Sequence, residues 1–302
     1  MTARSSGSTA AAASTVGSMV RTIGPRTFDF AREVAVMAIV NRTPDSFYDR
    51  GRTDALDAAV AAGRRAIAEG ADWIDIGGAK FAPGPAVPVA EEIERVVPVV
   101  AALADAGAVI SVDTFHAEVA RAAIAAGAHV VNDTTGLSDP GMAAVLAETG
   151  ASVVITHSLA LPRTPLASPR YDDVVREVAD FLRGRVARAE AAGVASDRII
   201  VDPGHDLNKH TLDSLELTRR LDEIVAIGYP TLVALSNKDF VGESLGRPRA
   251  ERVEGSIAAA VYSVLRGARI VRVHNVRETV DAMRMVEAIE GWREPVFLEH
   301  NQ

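Results

Sequence analysis

The sequence predicts a single (β/α)8 barrel of the α/β class, and two observations carry that prediction. Residues Val34 to Val40 form an apolar run without alternation, as a strand buried on both faces requires, and Asn41 ends the run with a polar group. The same unit of apolar run, polar stop, loop and helix recurs seven more times, and eight such units close a barrel of parallel strands ringed by helices. Length agrees, because the chain without its small-residue tail has roughly 270 residues, near the ~250 typical of this architecture.

Composition narrows the function classes. The chain has 302 residues, 48% hydrophobic and 24% charged, a formal charge of −8 and no cysteine. Disulfides, thiolate catalysis and cysteine-ligated metals are thereby excluded. A negative chain without a Lys/Arg block is not built for nucleic acid or an anionic membrane, so an anionic ligand needs a local basic cluster. No apolar run approaches the roughly 18 residues of a membrane span. Residues 1 to 19 are small and polar, with too weak an apolar stretch for a secretory signal, and read as a disordered tail. One barrel domain over residues 20 to 302, in the cytoplasm, is the expectation.

The elements follow in order. Thr27, Phe28 and Phe30 suit a short hairpin closing the barrel floor, and Leu56, Val60 and Ile67 lie at near-helical spacing within Ala55 to Glu69. Strand 2 spans Trp73 to Ile76 and strand 3 Val109 to Val112, stopping at Asp113; strand 4, Val130 and Val131, stops at Asn132 and Asp133. In the helix marked by Ile93, Val96, Val97, Val100 and Leu103, Pro98 predicts a kink or a late start. Strand 5, Ser152 to Ile155, stops at Thr156 and His157, before a proline-rich loop to Tyr171. Strand 6, Ile199 to Val201, stops at Asp202; strand 7, Thr231 to Leu235, stops at Ser236, Asn237 and Lys238; strand 8, Ile270 to Val273, stops around Arg272 and His274. Gly193, Gly228 and Gly267 fall where left-handed caps should end three helices. The Gly- and Pro-rich loops Arg42 to Arg52 and Phe81 to Pro88 are expected to be mobile.

In such barrels the active site lies at the C-terminal rim of the strands. The rim set is Asn41, Asp75, Asp113, Asn132, His157, Asp202, Lys238, Arg272 and His274. Carboxylates, amides and basic groups around one mouth suit a flat polar ligand that also carries an anion. A carboxylate can accept two donors from an aminopyrimidine edge, and Lys238 would hold it ionised. Each residue also has a structural reading. Asn132 or Asp133 could cap a helix, Asp75 could form a turn, Arg272 could pair with a neighbouring carboxylate, and His157 could be a packed loop histidine. Lys209, in the loop after strand 6, reads as a solvated charge.

With those residues assembled, the chain resembles the dihydropteroate synthase family from about Phe28 to Glu290. The motifs IVNRTPDSFYDRG, DIGG, SVDT, VND, DPG, SNK and RVHNV carry the resemblance. It implies a reaction in which p-aminobenzoate attacks the methylene carbon of a dihydropterin diphosphate and expels diphosphate with the help of magnesium. It also implies that Asp113, Asn132, Asp202 and Lys238 hold the pterin, Arg272 and His274 the diphosphate, and Asn41 the Mg2+, and that the protein is a homodimer through its late helices, with faces such as Ile257, Val261 and Val264.

The departures fall on the second-substrate side. Where the family reads DIGGESTRPG this chain reads DIGGAKFAPG, so a threonine and an arginine become Phe81 and Ala82, with Lys80 nearby. The glycine- and phenylalanine-rich segment after DPG becomes His205, Asp206, Leu207 and Asn208, and Asn237 replaces the arginine of the SRK motif. Three readings follow: a paralogue with weak or absent synthase activity, which is favoured, an active synthase using Lys80, or a pterin-dependent methyltransferase of similar fold.

Overall fold

The computed structural model describes residues 19–41, 52–79, 81, 84–164, 166 and 168–300. A hairpin of β1 (Val20–Ile23) and β2 (Arg26–Asp29) precedes eight parallel strands. These are β3 (Ala35–Asn41), β4 (Trp73–Gly77), β5 (Val109–Asp113), β6 (Val130–Asp133), β7 (Ser152–Thr156), β8 (Ile199–Asp202), β9 (Leu232–Val233) and β10 (Ile270–Val273). Their hydrogen-bonded order is β8-β7-β6-β5-β4-β3-β10-β9, and a parallel bridge between Val201 and Thr231 closes the ring. Outside lie α1 (Arg52–Ala68), α2 (Val89–Leu103), α3 (Ala117–Ala125), α4 (Met142–Thr149), α5 (Val174–Ala191), α6 (Thr211–Arg219), α7 (Leu221–Val225), α8 (Asp239–Leu245), α9 (Val253–Leu265) and α10 (Val276–Ile289).

The period of two along each strand sorts residues between two cores. Val36, Ala38, Ile74, Ile110, Val131 and Val201 pack outward with the helices. Met37, Trp73, Val109, Val130, Val154, Ile200, Leu232 and Ile270 pack inward, against Phe28 and Phe30 from the hairpin. Phe28 stacks on Phe30 with ring centroids 5.3 Å apart and tilts against Trp73 at 5.9 Å. These aromatics plug the floor, each buried side chain contributing about 1.5–3 kcal/mol. One inward step above that floor come Asp75, Ser111, Asn132, Asp202 and Arg272, so the alternation that builds the floor also aims these polar side chains into the barrel.

A second buried polar cluster serves the N-terminal end. Asp72 accepts from Val36 N at 2.9 Å and pairs with Arg26 and Arg284, while Glu287 accepts from Val34 N at 2.8 Å and pairs with Arg284 and Arg293. Every charge there has a partner, and the cluster ties the hairpin and α10 to the start of β3.

Several expectations shift. The polar stops Asn41, Asp113, Asp133, Thr156 and Asp202 are themselves the last residues of their strands, whereas the seventh strand is only Leu232–Val233, two residues of the five expected, and ends before Ser236, Asn237 and Lys238. Pro98 does not delay its helix, which begins nine residues earlier at Val89. Gly193, Gly228 and Gly267 do take positive φ, of 98°, 98° and 107°. Met19 belongs to the barrel rather than the tail, because its carbonyl accepts from Phe30 N at 3.1 Å. Residues 1–18 lie outside the described residues, as do 42–51 of the first loop expected to be mobile and 80, 82 and 83 around the second.

Candidate functional site

Strand register sets three of the predicted rim residues, Asn41, Asp113 and Asn132, in one row. Asn41 pairs with Gly77, Gly77 with Asp113, and Asp113 with Asn132. A Cβ on Gly77 would lie 3.0 Å from Asn41 Oδ1 and 3.6 Å from Asp113 Cβ, so this glycine leaves space between the two side chains.

Asp75 organises the layer beneath. It is wholly buried; its Oδ1 accepts from Ser111 Oγ at 2.7 Å, and its Oδ2 from Asn132 Nδ2 at 3.0 Å and Arg272 Nε at 2.6 Å. Arg272 Nη2 reaches Asp113 Oδ2 at 2.8 Å. Asp75 is therefore a buried anchor, not a turn former, and the guanidinium expected at the diphosphate is tied along one edge to two carboxylates. Because the Asp75 carboxylate must face the amide's N–H, the orientation of Asn132 is fixed, and its buried Oδ1 has no partner among the described residues. Burial pushes the Asp113 carboxyl up to about 7, with Arg272 opposing and Asp75 adding to the rise.

Asn132 and Asp133 split by parity. Asp133 faces away from the interior and accepts from Thr135 N, Thr135 Oγ1 and Leu137 N at 2.8, 2.6 and 3.2 Å, a loop-capping role. Ser111, absent from the sequence-predicted set, is marked by the same parity two residues below Asp113.

On the opposite wall, Asp202 ends β8 and its Oδ1 accepts from Gly204 N at 2.7 Å. Burial lifts its carboxyl to about 6, and that Gly204 N–H, Lys238 and Lys209 hold it from rising further. Lys238 is half-buried at the N-cap of α8, and its ammonium has no protein hydrogen bond among the described residues. Lys209 overturns its sequence reading as a solvated charge. It is 7% exposed, with Nζ 2.9 Å from His157 Nδ1, 2.8 Å from Gly204 O and 3.2 Å from Leu207 O. His157 is a packed histidine, edge-on to Phe181 with ring centroids 4.7 Å apart. His274 stands exposed on the rim, with Nδ1 3.1 Å from Ser236 Oγ; local desolvation first, and then the charges of Arg272, Arg249 and Lys238, hold its pKa below the ordinary value.

The substituted loops are cross-braced. Asp206 and Asn208 hold left-handed φ of 62° and 53°, a conformation that Asp and Asn tolerate better than most residues. Asp206 Oδ2 accepts from Asp239 N at 2.5 Å and Phe240 N at 3.3 Å, capping α8, and Asn208 Oδ1 accepts from Leu159 N and Ala160 N at 3.1 and 3.0 Å. Arg163, in that β7–α5 loop, donates its N–H to Phe81 O at 2.9 Å and its Nε to Pro85 O at 3.0 Å. The described part of the loop after β4 is thus bonded to Arg163 at Phe81 and Pro85. Nothing in the sequence pattern signals these loop-to-loop bonds.

For a divalent cation the layer offers Asn41 Oδ1, and no group of three or more His, Asp or Glu side chains able to hold a metal occurs among the described residues. One amide oxygen fits a hard ion that takes its other ligands from phosphate and water.

The C-terminal rim of this closed parallel barrel thus gathers buried carboxylates, the Asn132 amide and Lys238. The comparisons name its family: the chain belongs to the family described as pterin binding enzyme, matched over residues 37–274. It is 50% identical over 267 residues to a Mycobacterium leprae protein named inactive dihydropteroate synthase 2, covering 86% of this chain and 92% of that one. It is 44% identical over 255 residues to the dihydropteroate synthase of Escherichia coli, covering 84% and 90%. The fold matches Xanthomonas albilineans dihydropteroate synthase with 4-aminobenzoic acid at a TM-score of 0.84 and 42% identity, covering 91% and 99%. The chain is dihydropteroate synthase-like, on the barrel expected from its sequence.

Proposed function

We propose that this chain is a divergent dihydropteroate synthase paralogue that binds the pterin ring but has weak or absent synthase turnover. The observation that carries the reading is Asn132, whose Nδ2 is spent on Asp75 while its Oδ1 is a buried acceptor without a partner among the described residues. A pterin's N–H groups would satisfy that oxygen and the Asp202 carboxylate, with Lys238 donating to a ring acceptor and Asp113 accepting beside them. His274, and the edge of Arg272 not bound to carboxylates, would meet the anion. Asn41 would hold Mg2+ together with phosphate oxygens, and the ion would neutralise charge developing on a departing diphosphate.

The relative named inactive and the substitutions Phe81, Ala82 and Asn237 support weak turnover. Losing one donor that stabilises a leaving group typically costs about 10²- to 10³-fold in rate. A working synthase is the second reading, favoured by Arg163, which brings a guanidinium against Pro85 in the same loop that lacks the family's arginine. We place the protein in the cytoplasm; among the described residues no helix is long and apolar enough to cross a membrane. Val264, named from the sequence for a dimer face, is buried in the core because it lies on the barrel side of α9; a homodimer through α9 and α10 would instead cover the exposed Tyr262, Leu265, Met285 and Ile289.

Calorimetry with 6-hydroxymethylpterin tests the reading. The wild-type protein should bind, and Asp202→Asn should weaken binding by about 1–3 kcal/mol, because an acceptor pair becomes a mixed donor and acceptor. Equal binding by both proteins would remove Asp202 from the site.

A further inference from the structure

Lys209 is a buried cation with no role in the binding scheme above. Its three ammonium hydrogens are taken by Gly204 O, Leu207 O and His157 Nδ1, so that Nδ1 acts as an acceptor and the imidazole is neutral. The His157 backbone N–H donates to Asp202 O at 3.0 Å. Gly204 N–H donates to Asp202 Oδ1 at 2.7 Å, and a Cβ on Gly204 would lie 2.0 Å from His157 O, so the two segments touch with no room for a side chain. Lys209, His157, Asp202 and Gly204 form one closed circuit of contacts. An apolar side chain could fill the same space without burying a charge, and the charge here acts on the Asp202 carboxylate without pairing with it directly.

From this circuit we infer that Lys209 is a positioning residue for ligand recognition, locking the Asp202–Pro203–Gly204 turn and keeping the Asp202 carboxylate ionised for a ligand's paired N–H donors. The inference rests on the reading of Asp202 as the pterin-binding carboxylate.

The electrostatic half has a definite sign. Asp202 is raised by burial and lowered by Gly204 N–H, Lys238 at the start of α8, Lys209 in its own loop and Arg272 on β10. Burial draws the Lys209 ammonium down to about 7, with Asp202, Asp213 and Asp206 opposing the fall and Lys238 adding to it, and neutral His157 and His205 lie beside it, so its charge acts on Asp202 in the acid half of the pH range. Removing its charge lets Asp202 keep its proton to higher pH. The acid limb of binding then moves upward, and variant and wild type converge as pH rises.

The test uses the full chain with 6-hydroxymethylpterin titrated between pH 5.5 and 8.5, and carboxyl-carbon NMR of the ligand-free protein with its aspartates labelled. Lys209→Met should raise the Asp202 midpoint and weaken binding near pH 6 by about fivefold for the first unit of that rise and by about tenfold for each further unit. Lys209→Gln, which keeps donors for the two carbonyls without the charge, should do the same and serves if the methionine variant does not fold. Lys209→Arg should retain the wild-type midpoint. An Asp202 midpoint unchanged in both neutral variants, or a binding loss equal at every pH, overturns the inference. If the wild-type protein does not bind the probe, the pterin reading falls, and the ligand-free midpoint alone decides for or against the Lys209–Asp202 link.

Discussion

The backbone N–H of Arg163 donates to the carbonyl of Phe81 at 2.9 Å, which binds the loop after β7 to the loop after β4. Asn208 extends the brace to the loop after β8, and Asp206 carries it on to α8. Residues that depart from the synthase motifs are thus engaged in holding rim loops together. Asn208→Ala removes the acceptor for Leu159 N and Ala160 N and puts a Cβ-bearing residue without an amide at φ 53°. Amide exchange at Leu159 and Ala160 should speed up by about tenfold or more, while β7 and β8 stay protected. Unchanged exchange at both amides would show that the cap does not hold the loop.

Asp75 is the hub of the interior layer. Asp75→Ala leaves Arg272 without its 2.6 Å partner and frees the amide of Asn132 to rotate. Breaking a buried pair from one side costs about 3–5 kcal/mol. Urea unfolding should register that loss, and pterin binding should fall with it. Asp75→Asn, which keeps one acceptor, should lose less of both.

His205 is 1% exposed, stacks on Phe240 with ring centroids 6.1 Å apart, and has no partner for either ring nitrogen among the described residues. Burial lowers its pKa to about 3, with Lys209 and Lys238 adding to the effect. A depressed folded pKa gives stability that is full above the ordinary histidine value of 6.5 and is lost as pH falls toward the folded value, since the unfolded chain binds the proton first. From this residue alone, acidification from pH 7.5 to 5 should cost about 2 kcal/mol. His205→Phe should remove that part of the slope, and at pH 7.5 should gain about 1 kcal/mol from losing an unsatisfied polar group. Urea midpoints at the two pH values check both; a variant with the wild-type slope would show that His205 is not the titrating group.

Much of this was legible because chain chemistry repeats. Eight apolar runs with polar ends place eight strands, and the period of two that plugs the floor with Trp73 and Met37 sends Asp75, Ser111, Asn132 and Asp202 inward above them. The same parity separates Asn132 from Asp133, which composition alone treats as equals. Lys209 was misread because a single lysine in a loop has no period, and its burial comes from His157 and Gly204 on two different strand ends. The Arg163–Phe81 contact was illegible for a related reason: backbone groups carry the bond, and no residue type announces it.

Product formation measures most directly the proposed separation of pterin recognition from synthase turnover. High concentrations of the unmodified protein should be incubated with p-aminobenzoate, Mg2+ and dihydropterin diphosphate, and dihydropteroate followed by chromatography. The substitutions Phe81→Thr, Ala82→Arg and Asn237→Arg should be assayed singly and together. At least about a hundredfold less product per unit time than an intact synthase is expected from the unmodified protein, with the triple variant gaining more than any single one. Robust turnover by the unmodified protein, at a rate comparable to the intact synthase, would contradict the claim.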